Sequence, residues 1–276
     1  MTMHGEHPFT GPVKAVVFDW AGTIIDFGSL APVAAVIEAF RRQGVSVSTE
    51  AARGPMGRAK RDHLSALFEV PEVRKDWERV HGRPPSESDL DALYAEFLPL
   101  QHEILAGHCE LIPGAIEVVA DCRARGMRVG TSTGYTRELM GPLLKAARRQ
   151  GFEPDAVVTA SDVSPGRPSP WMCLENARLL GVFPPSAIVN VDDTEAGVLA
   201  GVNAGMWSIG VTKSGNLIGL SEAAVAALPA DELNRRVEAA SRKLFGAGAH
   251  YVVETVAELP PIVDQINARL QAGERP

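Results

Sequence analysis

The sequence has few cysteines, and they are scattered. Cys109, Cys122 and Cys173 share no close spacing, so neither a zinc site nor a disulfide framework is indicated. A reduced, cytoplasmic setting is therefore expected. The chain also lacks any long run of lysine and arginine, and its formal net charge is -7 at pH 7. This charge balance argues against a nucleic-acid partner.

Long apolar runs are missing as well. No stretch approaches the roughly 20 apolar residues that a membrane-spanning helix needs, so no membrane association is expected. Residues 1–10 lack the apolar centre of a signal peptide. What is present is an ordinary globular composition over 276 residues, 45% of them hydrophobic and 22% charged. Such a chain is long enough for one good-sized domain and a smaller one.

Apolar periodicity divides the chain into an early strand, a helical stretch and a long alternation of strands and helices. Residues 13–18 are apolar except for Lys14, a pattern typical of a strand buried on both faces. Roughly 80 residues of predicted helix follow. From Pro113 onward strands and helices alternate. The predicted fold is α/β, a doubly wound (Rossmann-like) parallel sheet core with an inserted all-helical cap domain.

The same pattern predicts the domain boundaries. The α/β core is expected to comprise residues 12–27 and 107–270. The helical cap is expected over residues 28–106, above the carboxyl edge of the sheet. Flexible tails are expected at 1–11 and 271–276, because chain ends are often poorly anchored.

Four predicted loops at the carboxyl ends of strands carry polar groups. In chain order these groups are Asp19, Thr133, Gly134, Arg167, Asp192 and Asp193. Because the carboxyl ends of parallel strands meet at one edge of a sheet, the groups are expected to converge in one crevice. Carboxylates, a hydroxyl, turn amides and a guanidinium suit a hard cation together with a phosphoryl group. Mg²⁺, which prefers one or two carboxylates, is the cofactor expected at Asp19 and Asp193.

These positions resemble the four motifs of the haloacid dehalogenase superfamily. The matching residues are Asp19, Thr23, Thr133, Arg167, Asp192 and Asp193. The resemblance implies phosphoryl transfer through an aspartyl-phosphate intermediate. In most phosphatases of that superfamily a second Asp stands two places after the nucleophile and protonates the departing alcohol. Here Ala21 stands in that place, which predicts a leaving group other than an alkoxide.

One lysine of the predicted cap is unusual. A helix is expected over residues 55–69, opened by its proline. Spacings of four, three and four would place on one face Met56, Lys60, His63 and Leu67. Lys60 then either extends its ammonium to the surface or is a desolvated amine, the state that a Schiff base requires. Arg58 and Arg61, if they lie near it, would help to lower its pKa.

A single reaction would explain both the missing acid at Ala21 and the unusual Lys60. Cleavage of a carbon–phosphorus bond produces a carbanion, which a general acid at position 21 could not usefully relieve beforehand. An imine between Lys60 and an aldehyde one carbon away would accept the electrons, so that the group departs as an enamine. The two residues together predict a phosphonate with a β-carbonyl group. Phosphonoacetaldehyde is the simplest such substrate.

Longer motifs are similar to those of the phosphonatase family within the superfamily. They are Asp-Trp-Ala-Gly-Thr at 19–23, Pro-Met-Gly-x-x-Lys-x-x-His at 55–63, Ser-Thr-Gly-Tyr-Thr-Arg at 132–137, Gly-Arg-Pro-x-Pro-Trp-Met-Cys at 166–173 and Asn-Ala-Gly-Met-Trp at 203–207. The similarity implies a hydrolase that converts phosphonoacetaldehyde to acetaldehyde and phosphate. It places the reaction in the degradation of phosphonates such as 2-aminoethylphosphonate.

The resemblance also implies a role for each matching residue. Asp19 is the implied nucleophile and Lys60 the implied Schiff-base former. The implied metal ligands are Asp19, the backbone carbonyl of Ala21, and Asp193. The implied substrate-binding residues are Met56, His63, Thr133, Gly134 and Arg167.

Two supporting positions depart from a simple match. Thr23 is implied as a supporting residue. Some relatives carry Gly-Asp followed by an Asp four places later, whereas this chain has Asp192-Asp193 and then Gly197. Asp192 is therefore the candidate for the supporting carboxylate. Tyr135 and Trp171 are interpreted as packing residues.

Two other functions stay open at this point. A phosphate-ester phosphatase or mutase of the same superfamily would need an acid in place of Ala21. A phospho-ligand sensor would not need Asp19, Lys60 and Asp193 together. The resemblance further implies a homodimer. The cap is expected to open for substrate entry, with pivots near Gly28 and Gly107, where the chain crosses between the predicted domains. The sequence indicates no role for residues 213–219.

Overall fold

The computed structural model describes residues 8–276, and it contains one six-stranded parallel sheet within them. The predicted tail residues 1–7 lie outside the described part. The strands are β1 (Ala15–Phe18), β2 (Arg128–Thr133), β3 (Ala156–Thr159), β4 (Ile188–Asp192), β5 (Trp207–Val211) and β6 (Tyr251–Val253). Their order, β3-β2-β1-β4-β5-β6, places β1 at the centre between β2 and β4. Ligands bind such sheets at the carboxyl ends where the strand order reverses.

Helices cover both faces of this sheet. They are α6 (Ala115–Ala124), α7 (Arg137–Arg149), α8 (Trp171–Leu180), α9 (Glu195–Asn203), α10 (Glu222–Ala226), α11 (Ala230–Gly246) and α12 (Leu259–Gln271). Two short 3₁₀ turns lie at Pro185–Ala187 and Val256–Glu258. Alternate residues of β1 point to opposite faces. Val16 and Phe18 therefore pack in the cluster with α6, α7 and α12, and Ala15 and Val17 in the cluster with α8 and α9.

The inserted segment between β1 and β2 is helical in its first five elements. They are α1 (Leu30–Arg42), α2 (Thr49–Arg53), α3 (Lys60–Phe68), α4 (Pro71–His81) and α5 (Glu87–Leu105). These helices bury a hydrophobic cluster of their own, with Phe40, Phe68 and Trp77 in edge-to-face contact. The predicted fold class, a doubly wound parallel core with an inserted helical cap, is confirmed.

The predicted helix over residues 55–69 begins too early. The structure starts α3 at Lys60, and the preceding residues form turns. Gly57 has φ +88, a left-handed conformation that interrupts a right-handed helix. Met56 therefore lies before the helix, and the predicted face of four residues loses its first member. Lys60 instead occupies the first position of α3.

Two segments connect the cap to the core. In the first, Asp26 and Ser29 have positive φ values of 53 and 50. One Asp26 carboxylate oxygen accepts a hydrogen bond from the Ala31 backbone N–H at 2.9 Å. The other lies 2.9 Å from Nδ1 of His108, in the second segment. The two connections are thus tied together, and pivots at Gly28 and Gly107 stay a prediction.

Residues of the predicted carboxyl-terminal tail form contacts with the last helix. At the carboxyl end, Arg269 forms an ion pair with Glu274, and the Gly273 amide donates a hydrogen bond to the carbonyl of Leu270. The domain boundaries and the tails remain predictions. Among residues 8–276, no helix has the combined length and apolar character that crossing a bilayer demands.

Candidate active site

The carboxyl ends of β1 and β4 bring three acidic side chains together. Asp19 follows β1, while Asp192 ends β4 and Asp193 follows it. Because β1 and β4 are neighbours in register, one oxygen of each carboxylate lies within 4.8 Å of the others. All three side chains are buried. Buried carboxylates at this separation repel each other and require a positive charge nearby.

Arg167 supplies part of that charge. Its Nη1 donates a hydrogen bond of 2.7 Å to Asp19 Oδ1 and lies 3.0 Å from Asp192 Oδ2. Its Nη2 donates to the backbone carbonyl of Ser132 at 2.9 Å and to Oγ of Ser132 at 2.6 Å. The guanidinium, 4% exposed, is therefore fixed between β1, β2 and β4. A planar fork of this kind matches carboxylate and phosphoryl oxygens.

Arg167 does not balance all of the acidity of this cluster. Burial and the neighbouring Asp192 raise the pKa of Asp19 to about 7, although Arg167 acts in the opposite direction. Burial, followed by Asp19 and Asp192, raises the pKa of Asp193 well above its usual range. Oδ1 of Asp193 is buried and has no hydrogen-bond partner within residues 8–276. An unpartnered carboxylate oxygen in an acidic cluster fits a divalent cation such as Mg²⁺.

The turn after β1 approaches this cluster closely. A Cβ at Gly22, where φ is +83, would lie 2.2 Å from Asp193 Oδ2, so only glycine fits there. Ala21 lines the cavity beside Asp19. Thr23 is fully buried, and its Oγ1 has no hydrogen-bond partner in the described chain. The predicted roles of Ala21 and Thr23 are not tested by these contacts.

The loop after β2 forms the next wall of the cavity. Oγ1 of Thr133 accepts a hydrogen bond of 3.1 Å from the Tyr135 backbone N–H, and both residues line the cavity. A Cβ at Gly134 would lie 2.4 Å from the carbonyl oxygen of Arg58 in the cap. Gly134 thus permits direct contact between the core loop and the cap backbone.

Lys60 faces the cavity from the cap. Its side chain is 4% exposed, and Nζ lies 4.9 Å from the centre of the Tyr135 ring. Burial lowers the pKa of Lys60 to about 8, the nearby Asp19 charge opposing this effect and Arg167 adding to it. The expectation that Arg58 and Arg61 depress this pKa is not met. Arg61 is instead paired with Glu87 and Asp91 on the cap surface.

The turn before α3 carries Met56 into the cavity. Met56 is 5% exposed and lines the cavity with Gly57. A Cβ at Gly57 would lie 2.3 Å from Oγ1 of Thr194 in the core. Only glycine therefore fits at position 57, both for its left-handed conformation and for its close approach to Thr194. Because that conformation is not helical, the helix does not begin at Pro55. The cap is therefore closed on the core.

His63 does not line the cavity in this closed form, and its predicted substrate-binding role stays a prediction. Its ring is fully buried, Nε2 lies 2.9 Å from the carbonyl oxygen of Ala52, and it is not among the residues lining the cavity. Burial, with Lys60 adding to the effect, lowers its pKa to about 3. The ring is therefore neutral, and in this closed form it packs behind Lys60.

Asp192 takes the space beside Gly197. A Cβ at Gly197 would lie within 2.2 Å of all three atoms of the Asp192 carboxylate group. Oδ1 of Asp192 accepts hydrogen bonds from the backbone N–H and Oγ1 of Thr194, at 2.9 and 2.7 Å. Asp192, next to Arg167, thus occupies the space that a side chain at position 197 would need.

Several contacts at the site were not anticipated from the sequence. Ser132 holds Arg167, Tyr135 lies under Lys60, and Thr194 contacts the cap. Ser132 and Tyr135 stand within a quoted motif, which was the available signal. The packing interpretation fits the buried Tyr135, whereas Trp171 is 49% exposed and is not a core residue.

The free space between cap and core is small. It amounts to ≈ 20 Å³, roughly the room for one water molecule. A larger groove of ≈ 1010 Å³ borders it and shares the lining residues Met56 and Thr194. An organic phosphoryl compound therefore requires some displacement of the cap before it reaches Asp19.

Comparison with known proteins agrees with this architecture. Residues 13–205 match the haloacid dehalogenase-like hydrolase family. Phosphonoacetaldehyde hydrolase of Syntrophobacter fumaroxidans is 48% identical over 269 residues, 98% of this chain and 97% of that protein. The bifunctional phosphonoacetaldehyde hydrolase/aminoethylphosphonate transaminase of Clostridioides difficile is 44% identical over 254 residues, 92% of this chain and 40% of that protein.

A solved structure is similar over the whole chain. The crystal structure of a phosphonoacetaldehyde hydrolase like protein from Oleispira antarctica superimposes with a TM-score of 0.97 at 41% identity, covering 100% of both chains. A hydrolase with a parallel α/β core and a buried acidic site is the class that the fold and the family match define. The chain belongs to the haloacid dehalogenase-like hydrolases and, within them, to the family of enzymes named phosphonoacetaldehyde hydrolase.

Proposed function

We propose that the chain hydrolyses the carbon–phosphorus bond of phosphonoacetaldehyde to acetaldehyde and phosphate. The observation that carries this proposal is Lys60, a buried amine whose pKa is lowered to about 8 and which has no hydrogen-bond partner among residues 8–276. At pH 7 roughly a tenth of such an amine is neutral, far more than of an ordinary lysine, and imine formation requires this neutral form. The relatives' names support the same substrate.

The proposed reaction begins at the cap. The neutral Lys60 amine adds to the substrate aldehyde and water leaves, which gives an imine that takes up a proton on nitrogen from solvent. A carboxylate oxygen of Asp19 then attacks phosphorus as the carbon–phosphorus bond breaks. The electrons of that bond pass into the imine and form an enamine, so the leaving group needs no acid at the position of Ala21.

Two hydrolytic steps complete the proposed cycle. The enamine takes a proton at carbon, and water releases acetaldehyde and regenerates the Lys60 amine. A second water hydrolyses the phosphorylated Asp19 and releases phosphate. Counting the water lost on imine formation, the net consumption is one water for each substrate.

Core residues would hold the phosphoryl group during these steps. Arg167 presents its guanidinium beside Asp19, and Thr133 and Gly134 line the same cavity. Asp19, Asp193 and the Ala21 carbonyl would hold Mg²⁺. When bound, the ion would neutralise the carboxylates and polarise the phosphoryl oxygens. Asp192 and Thr23 would support this half of the site.

Borohydride trapping tests the proposal. Borohydride added with phosphonoacetaldehyde should reduce the imine and leave a stable adduct on Lys60, detectable by peptide mass spectrometry. Lys60→Arg should give no adduct and no phosphate release, whereas Lys75→Arg, an exposed cap lysine, should behave like the wild type. Normal turnover by Lys60→Arg would refute the imine mechanism. Faster phosphate release from phosphate esters would favour a phosphatase or mutase instead.

The proposal extends to the setting of the enzyme. A place in the degradation of 2-aminoethylphosphonate is supported by the transaminase named with the hydrolase in the Clostridioides difficile relative. A cytoplasmic homodimer, binding a small phosphonate and neither nucleic acid nor membrane, remains the expectation from the sequence. Analytical ultracentrifugation would test the oligomeric state.

A further inference from the structure

The segment after β5, to which the sequence assigned no role, lies against both the cap and the acidic cluster. Residues 213–219 contain Asn216, which is 2% exposed. The Asn216 backbone N–H donates a hydrogen bond of 2.6 Å to Oδ2 of Asp193. That bond fixes one oxygen of Asp193 and leaves Oδ1 unpartnered. The orientation of Asp193 therefore depends on where this segment lies.

Arg53 reaches this segment from the cap. It is the last residue of α2, and its Nη1 donates hydrogen bonds to Oδ1 of Asn216 at 2.9 Å and to the Asn216 carbonyl at 3.2 Å. Nη1 also donates to the carbonyl of Gly28 at 3.0 Å, and Nη2 to that of Gly219 at 3.0 Å. In return, Nδ2 of Asn216 donates to the Arg53 carbonyl at 3.3 Å. One cap side chain thus holds two residues of the segment after β5, together with Gly28 in the connection between cap and core.

The fit around Arg53 leaves no room for additional atoms. A Cβ at Gly219, where φ is +66, would lie 2.5 Å from the Arg53 guanidinium carbon. Gly28, with φ +88, would place a Cβ 2.3 Å from the carbonyl oxygen of Leu220. Asp193 and Asp26 provide the nearby negative charge that favours the cationic form of Arg53, while burial lowers its pKa. The guanidinium is specifically accommodated by carbonyl oxygens only when cap and core are together.

We propose that Arg53 and Asn216 form a latch through which closure of the cap positions Asp193 for the cation. Both are positioning residues, since neither lines the cavity beside Asp19. The inference rests on the proposed assignment of Asp193 as a metal ligand. If closure orders the segment that orients Asp193, binding of the ion must favour closure to the same extent, because such coupling is reciprocal.

Mg²⁺ titration without substrate tests the latch. Isothermal titration calorimetry should show Arg53→Gln binding Mg²⁺ about tenfold more weakly than the wild type, a size typical of coupled sites. Arg53→Lys, which keeps the charge but loses the fork, should fall between them. Arg79→Gln, an exposed cap arginine, should match the wild type. Asn216→Ala keeps the backbone donor and should give a loss that is not additive with Arg53→Gln.

Hydrogen exchange on the same samples distinguishes a latch from a general structural role. Mg²⁺ should slow exchange at residues 54–59 and 213–219 in the wild type, and this protection should be reduced in Arg53→Gln. Wild-type Mg²⁺ affinity in both Arg53→Gln and Asn216→Ala would overturn the proposal. A merely destabilised fold would lower the melting temperature and leave Mg²⁺ affinity intact, which would also overturn it. Absence of phosphonoacetaldehyde hydrolysis with this coupling intact would refute only the proposed function.

Discussion

The two halves of the site hold buried charge in opposite ways. In the core half, Arg167 contacts the carboxylates of Asp19 and Asp192 and both oxygens of Ser132, which balance its positive charge. In the cap half, Lys60 is equally buried but has only the Tyr135 ring against its ammonium within the described chain. Partners keep Arg167 charged, whereas burial without partners favours the neutral form of Lys60. Similar burial thus keeps Arg167 charged in one half and lowers the pKa of Lys60 in the other, as the proposed phosphoryl binding and imine formation require.

The largest effect is expected from removing Asp19, the proposed nucleophile of the core half. Asp19→Asn should lower phosphate release by about 10⁴-fold or more, because the amide cannot form the phosphorylated intermediate. The proposed imine forms in the cap half, so borohydride trapping on Lys60 should persist. A phosphate assay and peptide mass spectrometry measure the two outcomes on one sample.

The exposed Asp231→Asn serves as the control and should retain activity. Loss of trapping together with phosphate release would show that the two halves do not act separately. Phosphate release by Asp19→Asn at a rate near the wild type would show that Asp19 is not the nucleophile.

A smaller but still large effect is expected from removing the cation of the core half. Arg167→Met leaves Asp19 and Asp192 buried side by side, and unfolding should become easier by about 3–5 kcal/mol. The pKa of Asp19 should rise above its already raised value of about 7, since Arg167 lowers it. Urea denaturation measures the stability change. Arg178→Met, on the exposed side of α8, should change stability by less than about 0.5 kcal/mol, and equal effects of the two variants would contradict the comparison.

In the cap half, removing the buried charge should increase the free energy of unfolding instead of lowering it. Moving the pKa of Lys60 from 10.5 to about 8 corresponds to about 3 kcal/mol at most, so Lys60→Met should stabilise the fold by about 1–3 kcal/mol at pH 7 while abolishing trapping. The folded state binds fewer protons than the unfolded state between pH 8 and pH 10.5. The destabilisation by Lys60 is therefore full below about pH 8 and fades toward pH 10.5.

Denaturation of wild type and variant at pH 7 and at pH 10 measures this difference. The gain should shrink at the higher pH, and Lys75→Met, an exposed substitution, should show no gain at either pH. A loss of stability in Lys60→Met at pH 7 would mean that the ammonium is compensated and that the contrast with Arg167 is wrong.

Much of the core half could be predicted because its signals are local. An apolar strand that ends in Asp19, and another that ends at Asp192-Asp193, place carboxylates at one sheet edge whichever helices intervene. The cap half was less predictable. The helix was expected from Pro55 because proline suits a first turn, but the contact of Gly57 with Thr194 delays it to Lys60. That contact joins distant parts of the chain and leaves no trace in local periodicity.

The sequence by itself determined the alternation of strands and helices and the strand ends that carry acids. It also showed that position 21 lacks an acid and that the predicted cap contains Lys60. Those features follow from side-chain periodicity and residue type, which neighbouring residues specify. Only the tertiary structure decided that burial, and not Arg58 or Arg61, lowers the pKa of Lys60. It alone joined Arg53 to Asn216, because that contact spans 163 positions and forms only when cap and core close on each other.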